Sequence, residues 1–278
     1  MIKVNDTILE ISHFPDGTLA FIGDNISDIC LWEVFGENVP VITWKFENNE
    51  EMIALMFLVN HIKAHGYKDI DLYMPYTPNG RMDRAKSERD VFTLKYFCEF
   101  INSLEFRTVS VLDPHSYVSE ALINNIRIKH PDGYILQAIK RMGIESQCNS
   151  KDDWILFYPD EGAMKRYSTN LPYKYTFGIK KRDWETGKIE GLDVAGCIDE
   201  IKDKVVLIVD DICSRGGTFI HSAKKLKELG AKAVYLYVSH CENTILEGEL
   251  LKSGLIEKVL TTDSIFTKEH EKVEVFKL

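Results

Sequence analysis

The stretch Lys204–Gly230 constrains the fold more than any other part of the chain. Val205–Val209 is an unbroken run of β-branched and aliphatic residues, the pattern of a strand buried on both faces. Asp210 and Asp211 follow at its end. A short loop then carries Gly216 and Gly217, where backbone can approach a ligand closely. Thr218 is the expected N-cap of a helix that presents Lys224, Lys225 and Lys227 to water and stops at Gly230. Ala233–Ser239 reads as the next strand. Together these form one βαβ unit, and such a unit places its ligand at the carboxyl end of the strand.

The loop's chemistry follows from its composition. Successive backbone N–H groups ahead of a helix make an anion cradle, and the helix dipole favours phosphate there. Asp210 and Asp211 repel phosphate, but adjacent carboxylates suit sugar hydroxyls or the waters of a magnesium ion. A site with both halves suits a phosphorylated sugar. A strand capped by acids and a glycine turn is also common without any ligand. It is the order of strand, acid pair, double glycine, Thr and helix that gives the functional reading its weight.

The chain has 278 residues and 45% hydrophobic residues, enough for two ordinary domains with real cores. A formal net charge of −9 argues against a general nucleic-acid binder, though not against small anions held by local basic groups. No apolar run is long enough to cross a bilayer. The N-terminus has no signal-peptide character, so a cytoplasmic location is expected. Six cysteines without a CxxC spacing are expected to be free thiols, Cys213 being a small filler.

Along the chain, Thr7–Ser12, Thr18–Ile22 and Val39–Trp44 read as short strands, with a turn at Phe14–Gly17. Glu50–His65 is an expected helix with Met52, Leu55, Met56 and Val59 on one face. Strands are expected at Asp69–Met74, Thr108–Leu112, Asp153–Tyr158, Tyr175–Lys180 and Lys258–Thr262. Helices are expected at Phe92–Leu104, Ile135–Met142, from Ala163, and at Leu246–Ser253. Trp184–Gly191 is a polar segment. The α/β alternation occurs twice, which predicts two doubly wound parallel-sheet domains, 1–140 and 141–278. Four loops fall at the carboxyl ends of predicted strands: Arg81–Arg84, Asp113–Ser116, Asp160–Gly162 and Asp210–Thr218. Lys180–Arg182 follows a fifth strand. Taken singly, each has an ordinary structural explanation. Their shared edge is what points to a site.

Val209–Thr218 resembles the phosphoribosyl diphosphate loop of type I phosphoribosyltransferases and ribose-phosphate diphosphokinases. Arg81-Met82-Asp83-Arg84 resembles an Arg-x-Asp-Arg stretch that helps bind ATP in the diphosphokinases. Asp113-Pro114-His115-Ser116 resembles a segment whose His contacts ATP-bound magnesium, and Pro159-Asp160-Glu161-Gly162 a turn whose Asp is the other metal contact. Lys181-Arg182 resembles the Lys-Arg of that family's mobile catalytic loop. Phe14-Pro15-Asp16-Gly17 resembles an element that meets the adenine of a neighbouring subunit's ATP, which implies a homo-oligomer. The resemblance spans about Phe14 to Ile265 and implies the type I phosphoribosyltransferase kind of fold.

It further implies transfer of the β,γ-diphosphate of MgATP to the anomeric hydroxyl of a ribose 5-phosphate moiety, with AMP leaving. Lys181 and Arg182 are the implied catalytic pair. Phe14, Asp16, Arg81, Asp83, Arg84 and His115 are implied ATP contacts, and His115 and Asp160 hold magnesium. Asp210, Asp211, Ser214, Arg215, Gly216, Gly217 and Thr218 are expected to bind the ribose phosphate. The alternatives are a type I phosphoribosyltransferase that consumes phosphoribosyl diphosphate, or an inactive regulatory relative.

This chain departs from the family pattern at several places. Thr18 stands where Glu is usual, and Met82 where a polar ATP contact is common. Ser214 and Arg215 stand where the family has an acid and a Thr. The first strand begins almost at the N-terminus, and the family's final helix is missing. The bulky donor fork of Arg215 either suits a larger anion than a terminal phosphate, for example the diphosphate bridge of ADP-ribose, or simply points to solvent and leaves ribose 5-phosphate as the acceptor. The larger acceptor would connect the chemistry to NAD salvage.

Overall fold

Aliphatic runs and amphipathic helices alternate into two sheets, one in each of two units, Met1–Lys129 and His130–Leu278. The computed structural model describes residues 1–5, 7–21, 39–148, 150–182 and 189–278, and the side chains of 180–182 and 189–192 lie outside that description.

The first unit contains β1 (Ile2–Val4), β2 (Thr7–Ile8), β3 (Ser12–His13), β4 (Leu19–Ala20), β5 (Val41–Trp44), α1 (Glu50–Ala64), β6 (Asp71–Met74), α2 (Thr93–Ser103), β7 (Thr108–Leu112), α3 (Tyr117–Leu122) and β8 (Ile126–Lys129). Its main sheet has the order β2-β1-β5-β6-β7-β8. Strands β5 to β8 are parallel, and β1 joins antiparallel to β5. The expected strand Thr7–Ser12 is divided, because Thr7–Ile8 pairs with β1 whereas Ser12–His13 pairs with β4. Phe14–Gly17 turns between β3 and β4 as expected, with Phe14 N–H donating to the Thr18 carbonyl at 2.9 Å. Helix α1 buries Ala54, Leu55, Leu58, Val59 and Ile62, so the apolar face is rotated from the expected one, and Met52 and Met56 lie at its margin. Glu51 is buried on the same face. Its carboxylate accepts from Trp44 Nε1 at 2.9 Å and Glu47 N–H at 2.8 Å, which offsets the cost of burying a charge.

The second unit contains α4 (Asp132–Glu145), β9 (Trp154–Tyr158), α5 (Glu161–Tyr167), β10 (Tyr175–Arg182), β11 (Ile189–Gly196), β12 (Val205–Cys213), α6 (Gly217–Glu228), β13 (Ala233–Cys241), β14 (Val259–Thr262) and β15 (Val273–Phe276). The sheet order is β11-β10-β9-β12-β13-β14-β15, all parallel except the β10–β11 hairpin. Alternate residues of β12 enter two cores. Val206 and Ile208 pack with Phe219, Ala223 and Leu226 of α6. Val205, Leu207 and Val209 pack with Ile135, Ala138 and Met142 of α4 and Ala163 and Tyr167 of α5. Two covered faces explain why the run carries no polar alternation. From β9 the chain moves outward to β10 and then returns to β12 on the other side, so the order reverses between β9 and β12. That reversal is where doubly wound sheets open a ligand crevice.

Several expected boundaries shift. Strand β12 continues through Asp210 and Asp211 to Cys213, because its pairing with β13 runs on to Cys213 opposite Cys241. Strand β10 continues to Arg182, paired with Ile189, so Lys180–Arg182 lie on a strand backbone and not beyond one. Most of the segment expected at Trp184–Gly191 lies outside the described residues, and its last residues begin β11. Thr218 is inside the first turn of α6, and Gly216 is the N-cap. The expected helix at Leu246–Ser253 is a 3-10 segment at Asn243–Glu247 followed by turns. Gly230 ends α6 as expected. Its N–H reaches the Lys227 carbonyl at 3.0 Å and Ala231 N–H reaches the Leu226 carbonyl at 3.0 Å, the paired bonds of a left-handed glycine cap. Cys98, Cys148, Cys197, Cys213 and Cys241 are free, and Cys30 lies outside the described residues. Among the described residues no helix is long and apolar enough to cross a membrane.

Candidate functional site

The second unit gathers its chemistry at the switch between β9 and β12. Asp160 follows β9 and caps α5, with Oδ1 accepting from Ala163 N–H at 3.0 Å. Asp210 and Asp211 end β12. Consecutive strand residues point to opposite faces, yet the Asp210 carboxyl turns back to its neighbour's backbone: Asp211 N–H donates to Asp210 Oδ1 at 2.9 Å. Burial pushes the Asp210 carboxyl well above the usual carboxylate range, and the charges of Asp211 and then Asp160 push it further. Asp211 is itself buried, and Arg166 Nη1 of α5 stands 3.3 Å from its Oδ2. The counter-charge therefore falls on Asp211, while burial and the neighbouring acids disfavour the charged form of Asp210.

The loop after β12 is shaped by two adjacent glycines for different reasons. Gly216 has φ +80, and a Cβ there would stand 2.7 Å from Leu250. Only glycine takes that conformation against that wall without strain. A Cβ on Gly217 would meet nothing within 4 Å. Open space thus lies directly ahead of the first residues of α6, whose N–H groups have no intrahelical acceptor. Ser214 Oγ donates to Glu242 Oε2 at 2.6 Å. The Arg215 guanidinium is exposed and pairs with Glu247 Oε2 at 3.1 Å. The loop therefore runs from acceptor groups at Asp210, Asp211 and Ser214 to donor groups at Gly217 and Thr218.

In the first unit, the expected contacts fall on two loops and one hairpin. Arg81, Met82 and Arg84 are exposed after β6, and Arg84 Nε lies 3.3 Å from Asp83 Oδ1. His115 is exposed after β7. A Cβ on Gly80 would stand 3.5 Å from His115 Cβ, so these two loops lie side by side at one sheet edge. Phe14 is exposed on the β3–β4 hairpin. Asp16 Oδ1 accepts from Thr18 N–H at 3.0 Å and Thr18 Oγ1 at 2.7 Å, and the hydroxyl bond leads in holding its carboxyl below the usual range. Lys181 and Arg182 have their backbones on β10, and their side chains lie outside the described residues.

The donor set suits a magnesium ion only in part. Among the described residues no group of three or more His, Cys, Asp or Glu is placed to hold a metal alone. Magnesium bound through one or two carboxylates and substrate phosphates needs no such cage. The oxygens of Asp160, Asp210 and Asp211 are the hard donors that ion prefers. A divalent cation would also offset the burial that chiefly raises Asp210 and the repulsion from Asp211 and Asp160 that adds to it. The second unit therefore fits the ion. His115 belongs to the other unit and is a softer donor.

Sequence reasoning missed Arg166, Glu242 and Glu247. Each reaches the site from a separate element, and no motif in the sequence links it to its partner at Asp211, Ser214 or Arg215.

A doubly wound sheet with buried acids at its switch point and an open helix N-terminus beside them is the architecture of a phosphoribosyl transferase domain, and the family model of that description matches residues 165–273. Over a longer span the chain is a homologue of ribose-phosphate pyrophosphokinases. It is 27% identical over 271 residues to the enzyme of Bacillus subtilis, covering 96% of this chain and 80% of that one. With the enzyme of Fusobacterium nucleatum it shares 25% over 272 residues, covering 97% and 82%. The crystal structure of phosphoribosylpyrophosphate synthetase from Mycobacterium smegmatis has the same fold, with TM-score 0.74 at 17% identity over 98% of this chain and 86% of that one. The chain is thus an enzyme, a transferase, similar over nearly its whole length to ribose-phosphate pyrophosphokinases.

Proposed function

We propose that this enzyme transfers the β,γ-diphosphate of ATP to the anomeric hydroxyl of a ribose 5-phosphate moiety and releases AMP. The observation that carries the reading is the half-buried Asp210 and buried Asp211 set directly before the Gly216–Gly217 opening at the start of α6. In this reading the second unit is the acceptor side and the first unit the ATP side.

Asp210 and Asp211 receive the ribose hydroxyls. Arg166 stands against Asp211, and the burial that raises the Asp210 carboxyl favours a form that can donate as well as accept. The N–H groups of Gly217 and Thr218 hold the 5-phosphate, with Ser214, Arg215 and Gly216 shaping the loop. Phe14, Asp16, Arg81, Asp83, Arg84 and His115 bind ATP. Lys181 and Arg182 neutralise charge that builds on the transferring phosphate, since such a transfer is catalysed chiefly by positioning and electrostatics. Magnesium, when bound, would neutralise diphosphate oxygens, with Asp160 and His115 the expected contacts. A homo-oligomer would bring Phe14 to a neighbouring subunit's nucleotide.

The acceptor is ribose 5-phosphate or a 5-substituted form such as ADP-ribose. The Arg215 guanidinium is exposed and paired with Glu247, which fits the reading in which it faces solvent and ribose 5-phosphate is the acceptor; the larger acceptor would have to draw it from that pair. Incubation with MgATP and each acceptor, with products identified by mass spectrometry, tests both points. AMP together with a sugar 1-diphosphate is the expected outcome. Consumption of phosphoribosyl diphosphate without use of ATP would instead indicate a phosphoribosyltransferase, and no turnover an inactive relative.

A further inference from the structure

Both residues by which the phosphate loop departs from the family pattern are engaged by acids of one segment, Glu242–Gly248. The backbone sets this up. Pairing between β12 and β13 persists to its last residues, and Glu242 N–H then donates to the Cys213 carbonyl at 2.8 Å. Glu242 is thereby held beside the first loop residue. Ser214 Oγ donates to its Oε2 at 2.6 Å, and Thr244 Oγ1 donates to the same oxygen at 3.1 Å. Further along, Glu247 meets Arg215. Gly248 lies so close that a Cβ would stand 2.1 Å from the Arg215 carbonyl oxygen. The segment is the wall on which the loop rests.

The direction of the Ser214 bond has a chemical consequence. A hydroxyl carries one proton and two lone pairs. Here the proton is directed at a carboxylate, so the serine oxygen is polarised toward accepting. A serine in that state suits a hydroxyl donor and opposes a phosphate oxygen. We propose that Glu242 is a positioning residue for the sugar acceptor: it orients Ser214 to accept a hydroxyl of the ribose, and so divides the loop into a hydroxyl-binding start and a phosphate-binding end at Gly217. Glu242 thus restores from the end of β13 the acidic character that Ser214 removes from the loop itself. This rests on the reading of the loop as the acceptor site.

The test separates orientation from mere stapling. Glu242→Gln can still bond Ser214 and Thr244, so the staple survives, but its amide N–H2 can now donate to the serine oxygen, so the charge is lost and the direction of the Ser214 bond is no longer fixed. Ser214→Ala deletes only the hydroxyl and guards against misfolding of the first variant. Melting temperature, kcat, and the KM of ribose 5-phosphate and of ATP are measured for both single variants and the double variant. Each single variant is expected to raise acceptor KM by about 10- to 100-fold, the range for hydrogen bonds to charged groups, with ATP KM unchanged. Because Glu242 acts through Ser214, the double variant should resemble the single ones and fall short of their product. The double exchange Ser214→Asp with Glu242→Gln should recover acceptor KM. Unchanged acceptor KM in Glu242→Gln, an equal rise in ATP KM, or multiplicative effects in the double variant would overturn the proposal while leaving the activity standing. An unmodified chain that neither binds ribose 5-phosphate by calorimetry nor turns it over would overturn both.

Discussion

Replacing Asp210 with Asn should stabilise the protein while abolishing acceptor binding. Burial leads in opposing ionisation of Asp210, followed by the charge of Asp211, a side-chain hydrogen bond with Asp211 and the charge of Asp160. Asn keeps the oxygen that accepts from Asp211 N–H at 2.9 Å and presents an N–H group to the neighbouring carboxylates. Relieving a buried, like-charged group of this kind is worth about 1–3 kcal/mol. For a protein of this size, that corresponds to roughly 2–10 °C in melting temperature. The sign with pH follows from the raised folded pKa. The penalty is absent where both states are protonated, below an unfolded value of about 4. It grows as pH rises through the folded pKa and is complete above it. Native stability is therefore lost on the alkaline side of that window.

Thermal melts of native and Asp210→Asn protein between pH 5 and pH 8 read the effect directly. The gap in favour of Asn should widen with pH, and calorimetry should show acceptor binding lost. A variant that melts below the native protein at pH 8, or a gap independent of pH, would refute the electrostatic account of this site.

Four further outcomes are expected. Lys181→Ala should lower kcat by about 100-fold or more with the fold intact, as for loss of a charge stabilising a transition state; circular dichroism and steady-state rates check this. Excess chelator should abolish turnover and added magnesium should restore it, and His115→Ala should raise the magnesium concentration needed for half-maximal rate. Arg215→Thr should lower kcat/KM for ADP-ribose more than for ribose 5-phosphate; if ADP-ribose is inert with both proteins while ribose 5-phosphate reacts, the larger acceptor is wrong. Gly248→Ala should cost about 1–3 kcal/mol through overpacking, and urea titration together with a rise in acceptor KM would show that the Arg215 backbone had been displaced.

The fold was legible where burial is simple. The β12 run reads as a strand because its alternate residues enter two cores, and Gly230 reads as a helix end because its backbone supplies the cap. Boundaries failed where a neighbour decides them. Nothing in Asp210-Asp211-Ile212-Cys213 looks like strand, yet β13 pairs with it to the end. Thr218 has the composition of an N-cap, but the left-handed conformation at Gly216 starts the helix earlier. The apolar face of α1 is rotated because Glu51, polar in sequence, is buried by Trp44 and Glu47.

The site was legible in its loops and illegible in their supports. Motifs mark residues adjacent in sequence, so Asp210 to Thr218 could be read together. Arg166 reaches Asp211 from α5, and Glu242 and Glu247 reach Ser214 and Arg215 from beyond β13. A loop read alone shows an acid replaced by Ser and a Thr replaced by Arg, which looks like lost acidity and gained cationic charge. With its wall in place, the same loop has a carboxylate on the serine and a carboxylate on the arginine. The net change in local charge is therefore much smaller than the substitutions imply. What changes is placement: acid stands just beyond β13 in place of the loop, and the added cation stands at the rim against Glu247. Specificity for the acceptor then depends on where these groups stand, and only secondarily on how many there are.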